Sequence, residues 1–271
     1  MRDALSINKL ARICKNPRKY VSLAPKLVLQ CFSRFFLHTS FRLESQMDIN
    51  EASRWHSPEF VDTYGGYFLP GDSVTRSVVD LEPWDSVRRD MLVLLLRDIF
   101  QRQIPGDIAE VGVYKGYTAK LLHCYAPDRT LHLYDTFEGF DQRDINREVA
   151  TTGRIESTRS FSDTGVQAVL RYVAPQNGNV HVHPGFFPES VPLDEKNLRY
   201  CFVHLDSDLY APTLSGLEVF YSRLEPGGII VVHDYNAWPG ARKAVTDFFV
   251  GKPEIPIPMP DKSGSAVIVK R

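Results

Sequence analysis

Short apolar runs that end at a glycine or an acidic residue recur through residues 107–234: "DIAEVGV" (107–113), "TLHLYD" (130–135), "VHVH" (180–183), "YCFVHLD" (200–206) and "IIVVHD" (229–234). The stretches "YTAKLLHCYA" (117–126), "TGVQAVLRYV" (164–173), "TLSGLEVFYSRL" (213–224) and "GARKAVTDFFV" (240–250) separate or follow them, with apolar residues at helical spacing. Strands that alternate with helices predict an α/β fold, a mostly parallel sheet with helices on both faces. Near-continuous apolar strands agree, because such a sheet is buried from both sides. At the C-terminal end, "SAVIVKR" (265–271) is a strand and "EIPIPM" a weaker one before it. Only a short turn joins them, too little chain for a parallel crossover, so this pair is expected to be antiparallel.

Composition bounds the rest. At 43% hydrophobic and 24% charged the chain reads as globular, and its net charge of −1 hides an asymmetry. Nine Lys/Arg against Asp3 and Glu44 leave residues 1–45 at +7, so the other 226 residues carry −8. A basic leader on an acidic body suggests an appended segment and argues against nucleic acid as a partner. Its apolar stretch "LAPKLVLQCF" is interrupted by Lys26, is a poor signal peptide, and is too short to span a membrane. Weak membrane-surface contact through residues 1–45 is the alternative to a docked leader. Residues 46–103 read as a cap, loop-like around Gly65–Gly66 and Pro70–Gly71 and helical from Trp84 to Gln103. Residues 104–271 form the main domain. Cys14, Cys31, Cys124 and Cys201 show no close pairing, consistent with reduced, buried thiols and a cytoplasmic protein. The long polar connection over residues 136–163 and the aromatic residues 64–68 are the candidate lid.

The turn "EVGVYKGYT" (110–118) leaves a strand and opens a helix, the context of a nucleotide-binding turn, but its spacing is E-x-G-x-x-x-G. Gly112 would let a ligand approach the backbone, and Gly116 would let the chain enter the helix closely. Asp135 ends the next strand, where a carboxylate can accept hydrogen bonds from two ribose hydroxyls. A carboxylate repels phosphate, so Glu110 and Asp135 together fit a nucleoside without phosphates. S-adenosylmethionine is such a ligand.

"FVHLDSD" and "IIVVHDYN" pose the next question, since both deliver an aspartate to a strand end. If the two strands are neighbours, Asp206 and Asp234 share one rim, and His233 adds an imidazole. Two carboxylates and an imidazole can hold a divalent cation and leave positions open for substrate. A carboxylate beside the cation could take a proton from a bound hydroxyl, or neutral His233 could be the base with no metal. Less chemical roles suit the neighbours. Asp208 caps the turn before Tyr210, His204 is a partnered sheet histidine, His181 and His183 share one side of their strand, and Trp238 lines an apolar wall.

The blocks "DIAEVGVYKGYTA", "LYDTFEGF", "HPGFFPESVP", "HLDSDLYAPTLSGLEVFYSRLEPGGIIVVHDY" and "WPGARKAV" follow one another in this order. Together they resemble the macrocin O-methyltransferase family of class I S-adenosylmethionine-dependent enzymes, over roughly residues 60–271. The resemblance implies a Rossmann-like seven-stranded methyltransferase sheet. It implies cofactor contacts at Glu110, Gly112, Gly116 and Asp135, with adenine near Gly185 and Phe186. It implies an acceptor hydroxyl on a small molecule, typically a sugar-bearing natural product, and a tendency to self-associate as a homo-oligomer. The first aspartate of D-x-D, carried onto Asp206, is implied as metal ligand and base, with His233 and Asp234 completing the metal set. The chain departs at His233, where the family usually has aspartate. Imidazole is a poorer ligand for Mg²⁺, which prefers oxygen, than for Mn²⁺, Fe²⁺ or Zn²⁺, so both the identity of the metal and the need for one turn on this residue.

Two other classes compete. A nicotinamide-dependent reductase on a doubly wound sheet lacks its G-x-G-x-x-G turn and Tyr-x-x-x-Lys pair here. A non-catalytic or membrane-associated protein that keeps the fold is compatible with the leader and with His233.

Overall fold

The computed structural model describes residues 85–175, 178–193 and 197–271. They lie in a compact unit running from Trp84 to Arg271. The expected leader (1–45), its membrane contact, the loop-like part of the cap and the lid residues 64–68 lie outside the described residues.

The elements follow the predicted alternation. Helix α1 (Ser86–Gln101) leads to β1 (Asp107–Val111), α2 (Tyr117–Tyr125) and β2 (Leu131–Asp135). Then come α3 (Gln142–Thr152), α4 (Val166–Val173), β3 (Val180–Pro184), β4 (Tyr200–Leu205) and α5 (Tyr210–Tyr221). The chain closes with β5 (Leu224–Val232), α6 (Pro239–Phe248), β6 (Ile257–Pro258) and β7 (Ala266–Val269). The seven strands take the order β3-β2-β1-β4-β5-β7-β6. β1 to β5 are parallel, whereas β7 runs antiparallel to both β5 and β6. The mostly parallel sheet and the antiparallel C-terminal pair are therefore as the sequence predicts. Helix α1 belongs to the same compact unit as the sheet.

Side-chain alternation assigns the two faces. Ala109, Val111, Val203, Leu205, Ile230 and Val232 turn one way and form a core with Leu217 and Phe220 of α5 and Val245 of α6. Glu110 and His204 turn the other way, toward the face on which α1 and α2 pack. Both central strands are buried along their whole length except for the first residue of β1.

Three boundaries differ from the sequence reading, each for a local reason. The connection over residues 136–163 contains α3, capped by Asp141, which accepts from Arg143 N–H at 2.8 Å, and ended by Gly153 at φ 77°. Helix α5 starts at Tyr210, because Pro212 falls in its first turn, where no amide donor is needed. Strand β5 starts at Leu224 and runs through Pro226-Gly227-Gly228, absorbing a register shift against β4. Cys201 is buried as expected, but Cys124 is exposed. Among the described residues, no helix is long and apolar enough to cross a membrane.

Candidate active site

The C-terminal ends of β1, β2, β4 and β5 each feed a non-glycine residue into the left-handed region: Tyr114 (φ 50°), Phe137 (57°), Asp208 (61°) and Asp234 (56°). Such conformations cost free energy and cluster where a site must hold a fixed shape. All four lie on the rim where a parallel sheet opens its ligand crevice.

On the β1–β2–β3 side the turn is held by Asp135. Its Oδ2 accepts from Val113 N–H and Tyr114 N–H at 2.7 and 2.8 Å, and its Oδ1 accepts from Phe137 N–H at 2.7 Å. Gly185 N–H donates to the Asp135 carbonyl at 2.9 Å, which joins the "HPGFF" stretch to the same rim. Gly185 itself has φ 131°. The Phe186 ring is covered by Arg143 of α3, with its guanidinium carbon 3.5 Å from the ring centroid, and Arg143 also pairs with Glu189 at 3.2 Å. Gly116 (φ 79°) opens α2, and a Cβ there would meet Val173 Cγ2 at 2.8 Å, so its role in close helix entry is as the sequence suggests.

Gly112 serves a purpose the sequence does not reveal. At φ 85°, a Cβ on it would lie 2.1 Å from the carbonyl oxygen of Asp206. The crowding therefore comes from the β4 end. Asp206 N–H reinforces this by donating to the Val111 carbonyl at 2.8 Å.

Glu110, expected at the cofactor, stands two residues before Gly112 in β1. It is 1% exposed and faces His204, whose Nδ1 lies 3.0 Å from its Oε1. The reason is its position inside a strand buried on both faces, one residue short of the strand end. Burial pushes the His204 imidazole down to about 3, so it is neutral.

On the β4–β5 side the sequence expectation of a shared rim holds. His233 Nδ1 is 2.7 Å from Asp206 Oδ1 and 2.9 Å from Asp234 Oδ2. Burial alone would push the His233 imidazole down, but the Asp206 and Asp234 carboxylates override it and raise it to about 10. Burial opposes the charge on Asp206, yet His233 and Arg88 hold its carboxyl well below the usual range. Asp208 goes the other way. Burial, the negative Asp206 and a hydrogen bond to Asp234 push its carboxyl well above the ordinary value, so it stays protonated and donates to Asp234. This side-chain bond replaces the turn-capping role expected of Asp208, since the residue at the N-terminal cap of α5 is Leu209.

One ligand atom from each of Asp206, His233 and Asp234 lies within 4.8 Å of the others. Two carboxylates and one imidazole suit a divalent first-row cation, so the donor set fits a metal that displaces the proton of His233.

Several participants have no motif in the sequence. Arg88 reaches from α1 to Asp206 Oδ2 at 3.4 Å. Glu148 of α3 is fully buried and accepts from Tyr210 N–H at 2.8 Å, filling the role of a cap for α5. Gly240 faces it, and a Cβ there would meet Glu148 Oε2 at 2.1 Å. Trp238 stacks under Arg154, whose guanidinium carbon is 3.7 Å from the ring centroid, and meets Phe140 edge-on, forming the apolar wall the sequence suggests. Of these, Trp238 and Gly240 lie in the "WPGARKAV" block and α3 is signalled by its Asp141 and Gly153 caps, whereas Arg88 and Glu148 have no signal.

Comparison with known proteins places this geometry. A family model described as macrocin-O-methyltransferase matches residues 85–271. The chain is 29% identical over 213 residues to the 8-demethyl-8-(2,3-dimethoxy-alpha-L-rhamnosyl)-tetracenomycin-C 4'-O-methyltransferase of Streptomyces olivaceus, a match covering 72% of this chain and 75% of that one. It is 28% identical over 165 residues to the mycinamicin III 3''-O-methyltransferase of Micromonospora griseorubida, covering 54% of this chain and 61% of that protein. The solved structure of the O-methyltransferase NovP has a similar fold, with a TM-score of 0.56 at 17% identity, covering 88% of this chain and 99% of that one. CalS11, a calicheamicin methyltransferase, does so with a TM-score of 0.55 at 21% identity, covering 79% and 93%.

Proposed function

The chain belongs to the macrocin-O-methyltransferase family and is an S-adenosylmethionine-dependent O-methyltransferase, and from that premise we propose that it methylates a sugar hydroxyl of a small natural product. We further propose that a divalent cation held by Asp206, His233 and Asp234 assists. The observation that carries this reading is the convergence of those three side chains at the ends of adjacent strands, with Asp206 packed against the glycine turn. The rhamnosyl group in the name of the tetracenomycin relative supports a sugar as acceptor.

In this reading Gly112, Gly116 and Asp135 hold the nucleoside side of the cofactor, and Gly185 and Phe186 hold its adenine. Asp135 already accepts three amide bonds and a long one from Thr136 Oγ1 at 3.5 Å, so a ribose hydroxyl would take the place of the Thr136 hydroxyl. Glu110 contributes from beneath, by fixing His204. A cation at the three ligands supplies a Lewis acid that makes the acceptor hydroxyl easier to deprotonate. Asp206 takes that proton as the acceptor oxygen bonds to the methyl carbon, and the sulfur leaves with the electron pair as the thioether of S-adenosylhomocysteine. The sulfonium is already a good leaving group, so the chain's main contribution is to aim the acceptor in line. The imidazole of His233 favours Mn²⁺ over Mg²⁺. The reading puts the enzyme in the cytoplasm, where the free thiols of Cys124 and Cys201 persist.

A second reading has its own observation. His233 Nδ1 lies between two carboxylates, and once the ring has released the proton they hold on it, Nε2 would be the proton acceptor with no metal. One experiment separates the two. S-adenosylhomocysteine is titrated into the protein by calorimetry, and labelled methyl transfer to a panel of glycosylated acceptors is then measured with EDTA and with added Mn²⁺. Transfer lost to EDTA and restored by Mn²⁺ supports the first reading. Transfer indifferent to EDTA supports His233 as base. Absence of cofactor binding would sink both.

A further inference from the structure

We infer that Arg88 is a positioning residue that aims Asp206 and restrains the affinity of the neighbouring site for a cation. This rests on the cation reading above.

Helix α1 begins at Ser86, and Asp85 caps it by accepting from Arg88 N–H at 3.1 Å. The second oxygen of Asp85 accepts from Lys262 N–H at 2.8 Å, which ties the start of the helix to the segment preceding β7. The backbone of Arg88 is thereby fixed from two sides. Its side chain is 11% exposed, and its guanidinium spans two elements, donating to Asp206 Oδ2 and to Thr118 Oγ1 of α2, each at 3.4 Å. A planar fork held at two points sets orientation as well as charge.

Asp206 is consequently divided between two partners, with Oδ1 facing His233 at 2.7 Å and Oδ2 facing the Arg88 guanidinium at 3.4 Å. This has two effects of opposite sign. The carboxylate is held in one rotation about its own axis, which favours proton abstraction from a fixed direction. A divalent ion beside Asp206 is repelled by a permanent, mostly buried positive charge that solvent and salt screen poorly. A residue that merely supported the fold would strengthen both functions or weaken both.

The test titrates Mn²⁺ into the full chain and follows the loss of the free-ion electron paramagnetic resonance signal, with transfer rates measured in parallel. Neutral Arg88→Gln is expected to bind Mn²⁺ about tenfold tighter than wild type, the size of change a nearby unit charge supplies. Its kcat is expected to fall. Arg88→Lys keeps the charge without the fork, so its Mn²⁺ affinity stays near wild type while kcat falls as well. Arg88→Met carries the same test if the glutamine variant does not fold. Wild-type binding of Mn²⁺ with equal or weaker binding by the neutral variants overturns the role of Arg88 and leaves the cation reading standing. Failure of wild type to bind Mn²⁺ removes both.

Discussion

A single ring atom of His233, Nδ1, is shared by Asp206 Oδ1 at 2.7 Å and Asp234 Oδ2 at 2.9 Å. Two carboxylates from neighbouring strand ends thus stay ionised side by side, and the third acid of the cluster, Asp208, carries the proton that repulsion would otherwise force onto one of them. The arrangement assigns separate tasks to residues of the same type, and each task has a measurable consequence.

Replacing Asp206 with asparagine keeps the shape and removes the proton acceptor. Methyl transfer is expected to fall about 10³-fold, within the range for loss of a positioned base. S-adenosylhomocysteine should still bind, since the Asp135 side of the rim is untouched. A near-wild-type rate for Asp206→Asn would remove it from the chemistry.

His233→Asp turns the donor set into three carboxylates. Activation is expected to shift from Mn²⁺ toward Mg²⁺, a hard cation that prefers oxygen. Activation curves for the two metals in both proteins decide the point, and an unchanged preference would show that the imidazole does not touch the ion.

Gly112→Ala places a methyl group 2.1 Å from the Asp206 carbonyl oxygen at φ 85°. The combined clash and strain are expected to cost about 3 kcal/mol, seen as a lowered denaturant midpoint. A midpoint equal to wild type would mean that the turn is loose.

Glu148 and Gly240 should couple. Gly240→Ala drives a Cβ onto Glu148 Oε2. Glu148→Ala leaves Tyr210 N–H without its acceptor, at a cost of about 2 kcal/mol. In the double variant the clash with the carboxylate is gone and only the approach of the Cβ to Tyr210 N, at 2.6 Å, remains, so the losses should sum to more than the pair shows together. Strict additivity in a double-mutant cycle would contradict the contact.

Asp144 of α3 offers a pH test away from the rim. Burial and then the charge of Asp141 raise its carboxyl from 3.8 to about 7. Between these values the folded chain holds a proton that the unfolded chain has released, so stability falls as pH rises through that window. Asp144→Asn is expected to be more stable than wild type at pH 8, by on the order of 2 kcal/mol, and no more stable at pH 3. An equal gain at both values would point to packing instead.

Legibility in the sequence followed the reach of the interactions. Alternating apolar runs dictated the sheet, because a strand buried on both faces needs a continuous apolar string that shows in one dimension. Asp206, His233 and Asp234 were legible because each stands where such a string stops. Helix α3 was hidden by its polar surface, with only Ile145 apolar among its buried residues. Arg88 lies 118 residues from Asp206 and Glu148 lies 62 from Tyr210. No local pattern announces a partner at that distance. The His204 partner of Glu110 was hidden for a related reason: an acidic residue just before a glycine turn suggests a ligand, and only the neighbouring strand reveals the buried histidine that it faces.

The near-contact between Gly112 and the backbone of Asp206 has a mechanical consequence. In a close-packed interior, atoms this near cannot shift independently. The glycine turn and the Asp206 strand end therefore form one stiff jaw, whose two teeth keep their spacing through thermal motion. Whatever opening and closing a turnover demands has to come from the opposite jaw, where α3 carries Arg143 over Phe186 and the segment after its Gly153 cap carries Arg154 over Trp238. Under the proposed reading, acceptor preference can accordingly drift by changes in that helix and its flanks without disturbing the spacing of Gly112 and Asp206.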